Sequence, residues 1–462
     1  MGFVFYDTET TGIDTSFDQI VQFAAIKTDP DLNIIERFEI RSRLLPFVIP
    51  SPKALQVTKI PIERLNDPAT PSHYEMVRAI TTKITQWAPS IILGYNSLGF
   101  DEKLLQKAFY QTLHNPYLTL FHGNSRGDIL RLVQAAAELE PGCLNIPTKD
   151  DGKPVYKLDR LAPANGFDHS NAHDALSDVE ATIHMCRIIR DNAGDIWNRF
   201  QRFSRKAAVQ DFVGEQEPFL VSENFFGKGK HTPVLLIGQD AKQAGLSLCF
   251  DLTQNLNDFR NLTDAQLETK LSGSPKPLKK VKANAAPILT PLDEAPDHVF
   301  GSLSLDELVK RAEELRDDEG LRVRIMQAYT ATQPNYPPSE HVEKTIYEGF
   351  ASSADNTLMM RFHQMPWETR YKVCDQFEKQ ALGFLAKRLI YANDPAFLPS
   401  AWRDEIEMHI EERINSVEAN PEWTTLNKAH TDCLEMMRDA APEDIALLTG
   451  YLDYLKQRIS YS

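Results

Sequence analysis

The sequence predicts an α/β domain over residues 1–190, a smaller β-rich domain over 195–337 and an α-helical domain over 338–462. The first prediction follows from GFVFYDTE, a nearly all-apolar strand that opens a region of alternating strand-like and helix-like segments. The second follows from strand-like pieces such as HTPVLLIGQ and LSLCFDLT and from a stretch that carries Pro, Gly and Lys. The third follows from the proline-bearing segment TATQPNYPPSEH and the helix-like stretches behind it.

The elements of residues 1–190 fit a mixed sheet with helices on its faces. After the first strand, DQIVQFAAIKTD and NIIERFEIRSRL predict a hairpin or meander. TPSHYEMVRAITTKITQWA has apolar residues at helical spacing, and SIILGYN is typical of a second buried strand. Three more helices are predicted over DEKLLQKAFYQTL, RGDILRLVQAAAEL and AHDALSDVEATIHMCRIIRD.

Composition narrows the class of protein. The chain has 462 residues, of which 42% are hydrophobic and 25% charged, as in soluble globular proteins. No run approaches the ~20 apolar residues that span a bilayer, and no basic segment followed by an apolar stretch opens the chain. We therefore expect a cytoplasmic protein without membrane attachment.

Cysteine usage and net charge exclude further classes. The five cysteines form no CxxC pair, so the sequence predicts neither a disulfide framework nor a structural zinc site. A net charge of −15 argues against nonspecific binding of nucleic acid by the surface as a whole. A local basic track is still compatible with that charge, and catalytic metal ions can offset acidic residues in a site.

Two carboxylates, Asp7 and Glu9, stand at the end of the first strand with Thr8 between them. Alternate residues of a strand face the same side, so the two acids project together. Two like charges so close together destabilise the folded protein unless a cation or bound protons offset their repulsion. Hard oxygen ligands suit Mg²⁺, with Mn²⁺ as the alternative ion. The alternative interpretation is an exposed strand end without a role.

More acids and a histidine follow at the ends of other elements. Asp101 lies just past the second buried strand, where it could instead be a helix-capping carboxylate. His173 and Asp178 lie about 140° apart on a regular helix, so they converge only if His173 is in the loop before the helix. The alternative is a surface histidine and an aspartate on a polar helix face.

The combined pattern is more specific than its parts. DTETTG, GYNSLGFD and HSNAHDALSD resemble the three exonuclease motifs of the DnaQ-like, or DEDDh, superfamily. Within it, FAAIKTD, GYNSLGFDE, NSRGDIL and ANGFDHSNAHDALSDVEATI resemble the bacterial exonuclease I family, and YPPSEHVEKTIYEGFASSAD resembles the start of that family's C-terminal domain. The resemblance covers nearly the whole chain and is weakest over 195–335. It implies an RNase H-like mixed-sheet exonuclease domain, an SH3-like β-rich domain and a helical C-terminal domain.

The resemblance also implies a two-metal phosphodiesterase. Asp7, Glu9 and Asp178 would ligate one Mg²⁺, Asp7 would bridge to a second, and Asp101 would hold that second ion directly or through water. His173 would be the general base, for which the ordinary pKa of imidazole is suited. The expected reaction is 3′→5′ hydrolysis of single-stranded DNA to nucleoside 5′-monophosphates, in DNA repair and recombination.

Substrate contacts are expected at several further residues. Near the scissile phosphate, YKLDRL supplies Lys157 where better-known members have Arg, and a plain surface lysine is the alternative. A second departure is Thr11, where exonuclease I relatives can carry an aromatic residue beside the terminal nucleotide. Glu9 is also a candidate substrate contact.

Aromatic and basic residues predict a path for the rest of the strand. The resemblance favours Tyr117 and Phe121 as strand contacts, with Arg126 interleaved, although these aromatics could equally be core residues. Lys280 and Lys282 share a strand face in PKPLKKVK and could track phosphates, or could form a solvated basic loop.

The resemblance further implies a partner, the acidic C-terminal tail of single-stranded DNA-binding protein, and nothing in the sequence demands more than a monomer. Two alternatives stay open. One is a DEDDh exoribonuclease, because the motifs alone do not choose the sugar, although such enzymes are usually a single small domain. The other is a noncatalytic nucleic-acid-binding scaffold, against which the intact set of acids and His173 argues.

Overall fold

The computed structural model describes residues 1–168, 174–215, 217–225, 228–334, 337–418 and 421–461. A mixed five-stranded sheet, in the order β3-β2-β1-β4-β5, forms the base of the first domain. Its strands are β1 (Gly2–Thr10), β2 (Ile20–Thr28), β3 (Ile34–Arg41), β4 (Ser90–Gly94) and β5 (Ser125–Asp128). The central strand β1 pairs antiparallel with β2 and parallel with β4, which confirms the predicted meander and mixed sheet.

Helices cover both faces of this sheet. The helices of this part of the chain are α1 (Pro52–Thr58), α2 (Ile62–Leu65), α3 (His73–Trp87), α4 (Asp101–Gln111), α5 (Ile129–Leu139), α6 (Leu158–Ala164), α7 (Ala175–Asn192), α8 (Gly194–Phe203) and α9 (Lys206–Gly214). The last of them, α9, packs in the core of the second domain. One face of β1, with Phe3 and Phe5, packs on a core that includes α5, α7 and α8. The other face, with Val4 and Tyr6, packs on α3 and α4. Burial on both faces explains why the β1 sequence is apolar almost throughout.

One predicted helix boundary was wrong. RGDIL was assigned to the start of a helix, whereas Ser125–Asp128 form the edge strand β5 and the helix begins at Ile129. The register of β5 beside β4 accounts for the difference, because Arg126 pairs with Ile92 and Asp128 with Gly94. Asp128 then caps α5 by accepting a hydrogen bond from the backbone N–H of Leu130.

A second five-stranded sheet follows, antiparallel throughout and in the order β10-β6-β7-β8-β9. Its strands are β6 (Phe219–Phe225), β7 (Lys228–Gln239), β8 (Leu246–Asp251), β9 (Leu278–Lys282) and β10 (Ile288–Pro291). The helices of this region are α10 (Asn257–Arg260), α11 (Asp264–Ser272), α12 (Leu305–Asp317) and α13 (Glu319–Ala331). The predicted β-rich unit is present, and both α12 and α13 pack on β7.

The C-terminal region is helical, as predicted. Its helices are α14 (Ser353–Gln364), α15 (Tyr371–Cys374), α16 (Gln380–Asn393), α17 (Ser400–Ile414), α18 (Leu426–Arg438) and α19 (Pro442–Tyr461). They share one apolar core with α1 and α2 of the first domain. Residues 337–350, here named the strap, join α13 to α14 and include a short 3₁₀ helix, Val342–Tyr347. Among the described residues, every helix is too short or too polar to cross a membrane.

Candidate active site

The acidic pair predicted at the end of β1 lies beside the first turn of α7. Asp7 and Glu9 project from the same face of β1, and the β1–β2 register shifts between Glu9 and Thr10. Such irregularities redirect side chains and are frequent next to active sites. Helix α7 packs on both β1 and β2, so its first turn carries Asp178 to this strand end.

Three carboxylates therefore converge from two elements that are distant in the sequence. One oxygen each of Asp7, Glu9 and Asp178 lies within 4.8 Å of the other two. Glu9 is buried, whereas Asp7 and Asp178 are partly exposed. The arrangement combines hard oxygen donors with access from solvent, which is the ligand chemistry of Mg²⁺ and Mn²⁺ sites.

Burial and repulsion by neighbouring carboxylates raise the pKa of Asp7 and of Glu9. Desolvation raises the pKa of Asp7 well above its ordinary value, and the charges of Asp101, Asp178 and Glu9 raise it further. Desolvation also raises the pKa of Glu9 to about 8, and the charge of Asp178 adds to that shift. A bound divalent cation would favour the charged forms and relieve this cost, so the acids fit such an ion.

Asp101 begins α4, as predicted, and is buried. Its Oδ1 accepts a hydrogen bond from the hydroxyl of Thr8 at 2.5 Å. Desolvation raises the pKa of Asp101 to about 7, while the Thr8 hydrogen bond opposes the rise. Asp101 is outside the group of three convergent acids. Among the neighbouring charges, however, that of Asp101 raises the pKa of Asp7 the most.

The turn before Asp101 is fixed by backbone constraints. A Cβ on Gly94 would lie 2.9 Å from the carbonyl oxygen of Tyr6. Only glycine therefore allows the end of β4 to lie this close to β1. Asn96 has a φ of 60°, a left-handed conformation that Asn tolerates. Its backbone N–H and that of Leu98 donate hydrogen bonds to the carboxylate of Asp128. The sequence did not identify this role of Asp128, since it depends on β5 lying beside β4.

Arg126, predicted as a strand contact, is partly exposed and pairs with a buried carboxylate. Its Nη1 lies 2.6 Å from Oε1 of the buried Glu102. Glu102 also accepts hydrogen bonds from the side chains of Tyr6, Gln106 and Thr119. Arg126 Nε donates to the carbonyl oxygen of Asn284, so this side chain links the first domain to the turn after β9.

Asp174 is a further acid beside the site. It precedes α7 and accepts hydrogen bonds from Gln22 Nε2 at 3.1 Å and Arg41 Nη2 at 3.3 Å. Its charge contributes to the raised pKa of Asp7 and Glu9, and the charge of Arg41 lowers the pKa of Glu9. The HD pair in NAHDAL is the sequence feature that could have identified it.

The remaining predicted residues of the first domain occupy different settings. His173 lies outside the described residues, so its proposed role stays a prediction. Lys157 is exposed at the N-terminus of α6, and Phe121 is 49% exposed. The Tyr117 ring packs edge-on against that of Phe350, with centroids 5.8 Å apart. Thr11 is buried, and its hydroxyl donates to Asp18, so its side chain does not face solvent.

The two lysines predicted on β9 line a cleft between the first and second domains. Lys280 and Lys282 are exposed, and the cleft of about 560 Å³ also includes Arg131 of α5. The cleft extends to Asn96 and Gly99 in the turn that precedes Asp101. Lys280 also lies over the ring of Tyr329, with Nζ 5.0 Å from the centroid. The cleft thus joins basic side chains of the second sheet to the Asp101 end of the first domain.

Comparisons with known proteins agree with this geometry. The exonuclease family model RNase_T matches residues 4–186. Exodeoxyribonuclease I of Haemophilus influenzae is 30% identical over 411 residues, which cover 84% of each chain. The structure of Escherichia coli exonuclease I with a dA16 oligonucleotide has a TM-score of 0.86, 24% identity and 99% coverage of both chains. The structure of SSB/exonuclease I with the inhibitor CFAM has a TM-score of 0.84, 23% identity and the same coverage.

These structures share the fold of the chain, and the predicted fold class is confirmed. The match to the Haemophilus relative over most of both sequences establishes the family. The chain belongs to the exodeoxyribonuclease I family, a family of 3′→5′ exonuclease hydrolases.

Proposed function

We propose that this chain degrades single-stranded DNA from the 3′ end to nucleoside 5′-monophosphates, with divalent metal ions as cofactors and in the service of DNA repair and recombination. The observation that carries the proposal is the convergence of Asp7, Glu9 and Asp178 within 4.8 Å. The dA16 oligonucleotide in the Escherichia coli structure supports single-stranded DNA as the substrate class.

In the proposed mechanism, Asp7, Glu9 and Asp178 would hold one Mg²⁺, and Asp7 and Asp101 would hold a second. Bound there, the two ions would stabilise the charge on the attacking and leaving oxygens of an in-line displacement. The protein supplies the arrangement of acids, which β1, α4 and α7 fix independently of substrate. His173 takes the proton of the attacking water. Lys157 supplies positive charge near the scissile phosphate.

From the acids, the bound strand runs along the predicted contact residues. Tyr117 and Phe121 offer aromatic surfaces to bases, and Lys280 and Lys282 offer ammonium groups to phosphates. The cleft that reaches from Asn96 to Lys282 gives these lysines access to the region beside Asp101. Arg126 is a further proposed strand contact, and its pairing with buried Glu102 also holds this region together.

We further propose that the chain works as a monomer and binds the acidic C-terminal tail of single-stranded DNA-binding protein. The SSB/exonuclease I structure supports this partner. A fluorescent peptide of that tail should bind the purified chain and lose affinity with rising salt, since its recognition depends on charge. A peptide with its acids replaced by amides is the control, and equal binding of the two peptides would contradict the proposal.

The test of the proposed function uses matched DNA and RNA oligomers labelled at the 3′ or the 5′ end. With Mg²⁺, the wild-type chain should release labelled mononucleotide at once from the 3′-labelled DNA and shorten the 5′-labelled DNA progressively. Asp178→Ala should abolish release, whereas Asp211→Ala, an exposed acid on α9, should leave it unchanged. Faster degradation of RNA would instead favour an exoribonuclease, and strand binding without cleavage would favour a scaffold.

A further inference from the structure

A row of polar side chains crosses the first sheet outward from the acids. Glu9 of β1 lies opposite Gln22 of β2, and Gln22 lies opposite Arg41 of β3. Residues directly opposite one another in antiparallel strands project from the same face of a sheet. Ile26, on the same face of β2 as Gln22, packs in the core that contains α7. The row therefore lies on the face of the sheet that α7 covers.

Gln22 is the buried member of this row. It is 1% exposed, and its Nε2 donates to Asp174 Oδ1 at 3.1 Å and to Glu39 Oε1 at 3.0 Å. Both acceptors are carboxylate oxygens, so the amide nitrogen of Gln22 is the atom that faces them. The N–H groups of this buried amide stay paired only while both carboxylates keep their places, because an unpaired buried donor destabilises the folded protein.

Arg41 reaches the same two carboxylates from β3. Its Nε donates to Glu39 Oε1 at 3.1 Å, and its Nη2 donates to Asp174 Oδ1 at 3.3 Å. Each of the two oxygens thus accepts from both Gln22 and Arg41, which closes a ring of four hydrogen bonds. We name Gln22, Glu39, Arg41 and Asp174 the polar ring. It joins two strands of the sheet to the residue that precedes α7.

Asp174 connects the polar ring to the first turn of α7. It is the N-cap residue of that helix, yet its side chain makes no capping hydrogen bond. A capping aspartate ordinarily accepts from a backbone N–H of its own helix, whereas this carboxylate pairs with β2 and β3. The carbonyl oxygen of Asp174 accepts from the backbone N–H of Asp178 at 3.1 Å. One residue therefore joins the polar ring to the backbone of the third convergent acid.

The metal site depends on how α7 is attached to the sheet. Asp178 belongs to the helix, whereas Asp7 and Glu9 belong to β1, and their oxygens lie within 4.8 Å of one another. Without a bound cation, the charges of these acids repel one another and favour their separation. A metal ion, in turn, needs its ligands within a few tenths of an ångström of their bound positions. An attachment at the start of α7 opposes that separation before the ion arrives.

We propose that Gln22, Arg41 and Asp174 are positioning residues, which hold the start of α7 against β2 and β3 and so keep Asp178 in place for the divalent ion. This inference rests on the proposed function, and it adds to that site Gln22 and Arg41, which lie outside the three exonuclease motifs. Loss of groups that orient metal ligands typically lowers metal affinity by about 10–100-fold. The polar ring acts on the metal site through the backbone of α7 and touches neither substrate nor ion.

The experiment compares Gln22→Met and Asp174→Ala with the full-length wild type. Electron paramagnetic resonance of free Mn²⁺ gives the Kd for the ion, which we expect to rise by about tenfold or more in each variant. Fluorescence anisotropy in EDTA gives the Kd for dA16, which should be unchanged, because no residue of the polar ring lines the cleft beside Asp101. A general loss of structure would weaken binding of both ligands. Asp174 is partly exposed, so Asp174→Ala decides the question if Gln22→Met does not fold.

Two further variants separate the hydrogen bonds from charge and from other contacts of α7. Asp174→Asn keeps an oxygen that accepts from Gln22 and Arg41, so it should bind Mn²⁺ far more tightly than Asp174→Ala does. Equal losses in Asp174→Asn and Asp174→Ala would show that charge matters rather than position, and would overturn the proposal. Glu180→Gln is the matched control. It removes an exposed ion pair of 2.8 Å to Arg37, which also joins α7 to β3, and should leave the Kd for Mn²⁺ unchanged.

Hydrogen exchange of the metal-free protein tests the attachment without any ion. Peptides that cover the first turn of α7 should exchange several-fold faster in Gln22→Met and Asp174→Ala than in the wild type, and as in the wild type in Glu180→Gln. Unchanged exchange together with unchanged Mn²⁺ affinity in the first two variants would overturn the positioning role. Failure of the wild type to bind Mn²⁺ would contradict the proposed function instead, while the exchange rates would still decide whether the polar ring holds α7.

Discussion

The hydroxyl of Thr8 donates a hydrogen bond of 2.5 Å to Oδ1 of Asp101, although 93 positions separate the two residues in the sequence. Thr8 lies between Asp7 and Glu9 on β1, and its side chain points to the opposite face from theirs. Both partners are buried. The bond therefore joins the strand that carries two acids to the helix that carries a third.

Replacing Thr8 by Val removes a hydroxyl but no ionisable group, and it should weaken the site. The Thr8 hydrogen bond lowers the pKa of Asp101, so its loss raises that pKa further above about 7. Because protons compete with the metal ion for Asp101, the acidic limb of the activity profile should shift to higher pH, and activity at pH 7 should fall by up to about tenfold for each pH unit of that shift. Initial rates on single-stranded DNA from pH 6 to 9 measure the shift. Thr8→Ser, which keeps the hydroxyl, should have the wild-type profile, and Thr82→Val on α3 is a control far from the acids. If the pH profile of Thr8→Val is not shifted, the Thr8–Asp101 hydrogen bond does not set the pKa of Asp101.

The raised pKa of Glu9 predicts how metal-free stability depends on pH. Because the folded pKa of about 8 exceeds the ordinary 4.5, the folded state binds this proton more tightly than the unfolded state does. The contribution of Glu9 is most favourable below pH 4.5 and is lost as the pH rises towards 8. The loss should be of the order of 2–4 kcal/mol.

Urea unfolding in EDTA at pH 5.5 and pH 8 checks this prediction. From pH 5.5 to pH 8, the free energy of unfolding of the wild type should decrease by more than that of Glu9→Gln, which lacks the titrating carboxyl. Addition of Mg²⁺ should recover stability mainly at pH 8, where protons compete less for the acids. If the free energy of unfolding had the same pH dependence in the wild type and in Glu9→Gln, the pKa of Glu9 would not be raised in the folded protein, and the prediction would be wrong.

A buried ionic cluster fastens the strap to the C-terminal domain. Glu343 Oε1 accepts hydrogen bonds from Arg388 Nη1 at 2.5 Å and Arg413 Nη1 at 2.7 Å, and all three side chains are buried. Glu343→Gln would remove the carboxylate that pairs with both guanidinium groups and should lower the free energy of unfolding by about 3–5 kcal/mol. Glu422→Gln, which removes a solvent-exposed partner of Lys344, should cost less than about 1 kcal/mol. Similar unfolding midpoints in urea for the two variants would contradict the importance of burial.

Arg126 offers a test of a structural role against a direct role in binding. Arg126→Met leaves Glu102 as an unpaired buried carboxylate and should cost about 2–4 kcal/mol of stability. Arg126→Met/Glu102→Gln should recover much of that loss, because it removes the unpaired charge. Chemical denaturation of both variants, with dA16 affinity measured in parallel, distinguishes the roles. A stable single variant with weakened DNA binding would favour a direct phosphate contact.

Much of the fold and the acidic site could be predicted from the sequence because they rest on local patterns. Alternation along a strand placed Asp7 and Glu9 on one face, and the three motifs placed Asp101 and Asp178 at element ends. The helical positions of Asp101 and Asp178 are confirmed. Whether His173, Lys157, Tyr117, Phe121, Arg126, Lys280 and Lys282 act on substrate stays a prediction.

What the sequence did not predict depends on tertiary pairing. The first three residues of the helix predicted over RGDILRLVQAAAEL belong to a strand, because they pair parallel with β4, and the helix begins at Ile129. The Thr8–Asp101 and Glu102–Arg126 bonds likewise require β1, β4 and β5 to lie side by side. The pairing of Arg126 with Glu102 could not be predicted, because in the sequence Arg126 resembles any basic residue among aromatic residues.

The central claim is that Asp7, Glu9 and Asp178 together bind a divalent ion, and titration with Mn²⁺ tests it most directly. Electron paramagnetic resonance of free Mn²⁺ counts bound ions in the wild type, in Asp178→Ala and in the exposed-acid control Asp211→Ala. We predict saturable binding to the wild type and the control, and loss of binding together with loss of nucleotide release in Asp178→Ala. Undiminished Mn²⁺ binding and full exonuclease activity in Asp178→Ala would contradict the account.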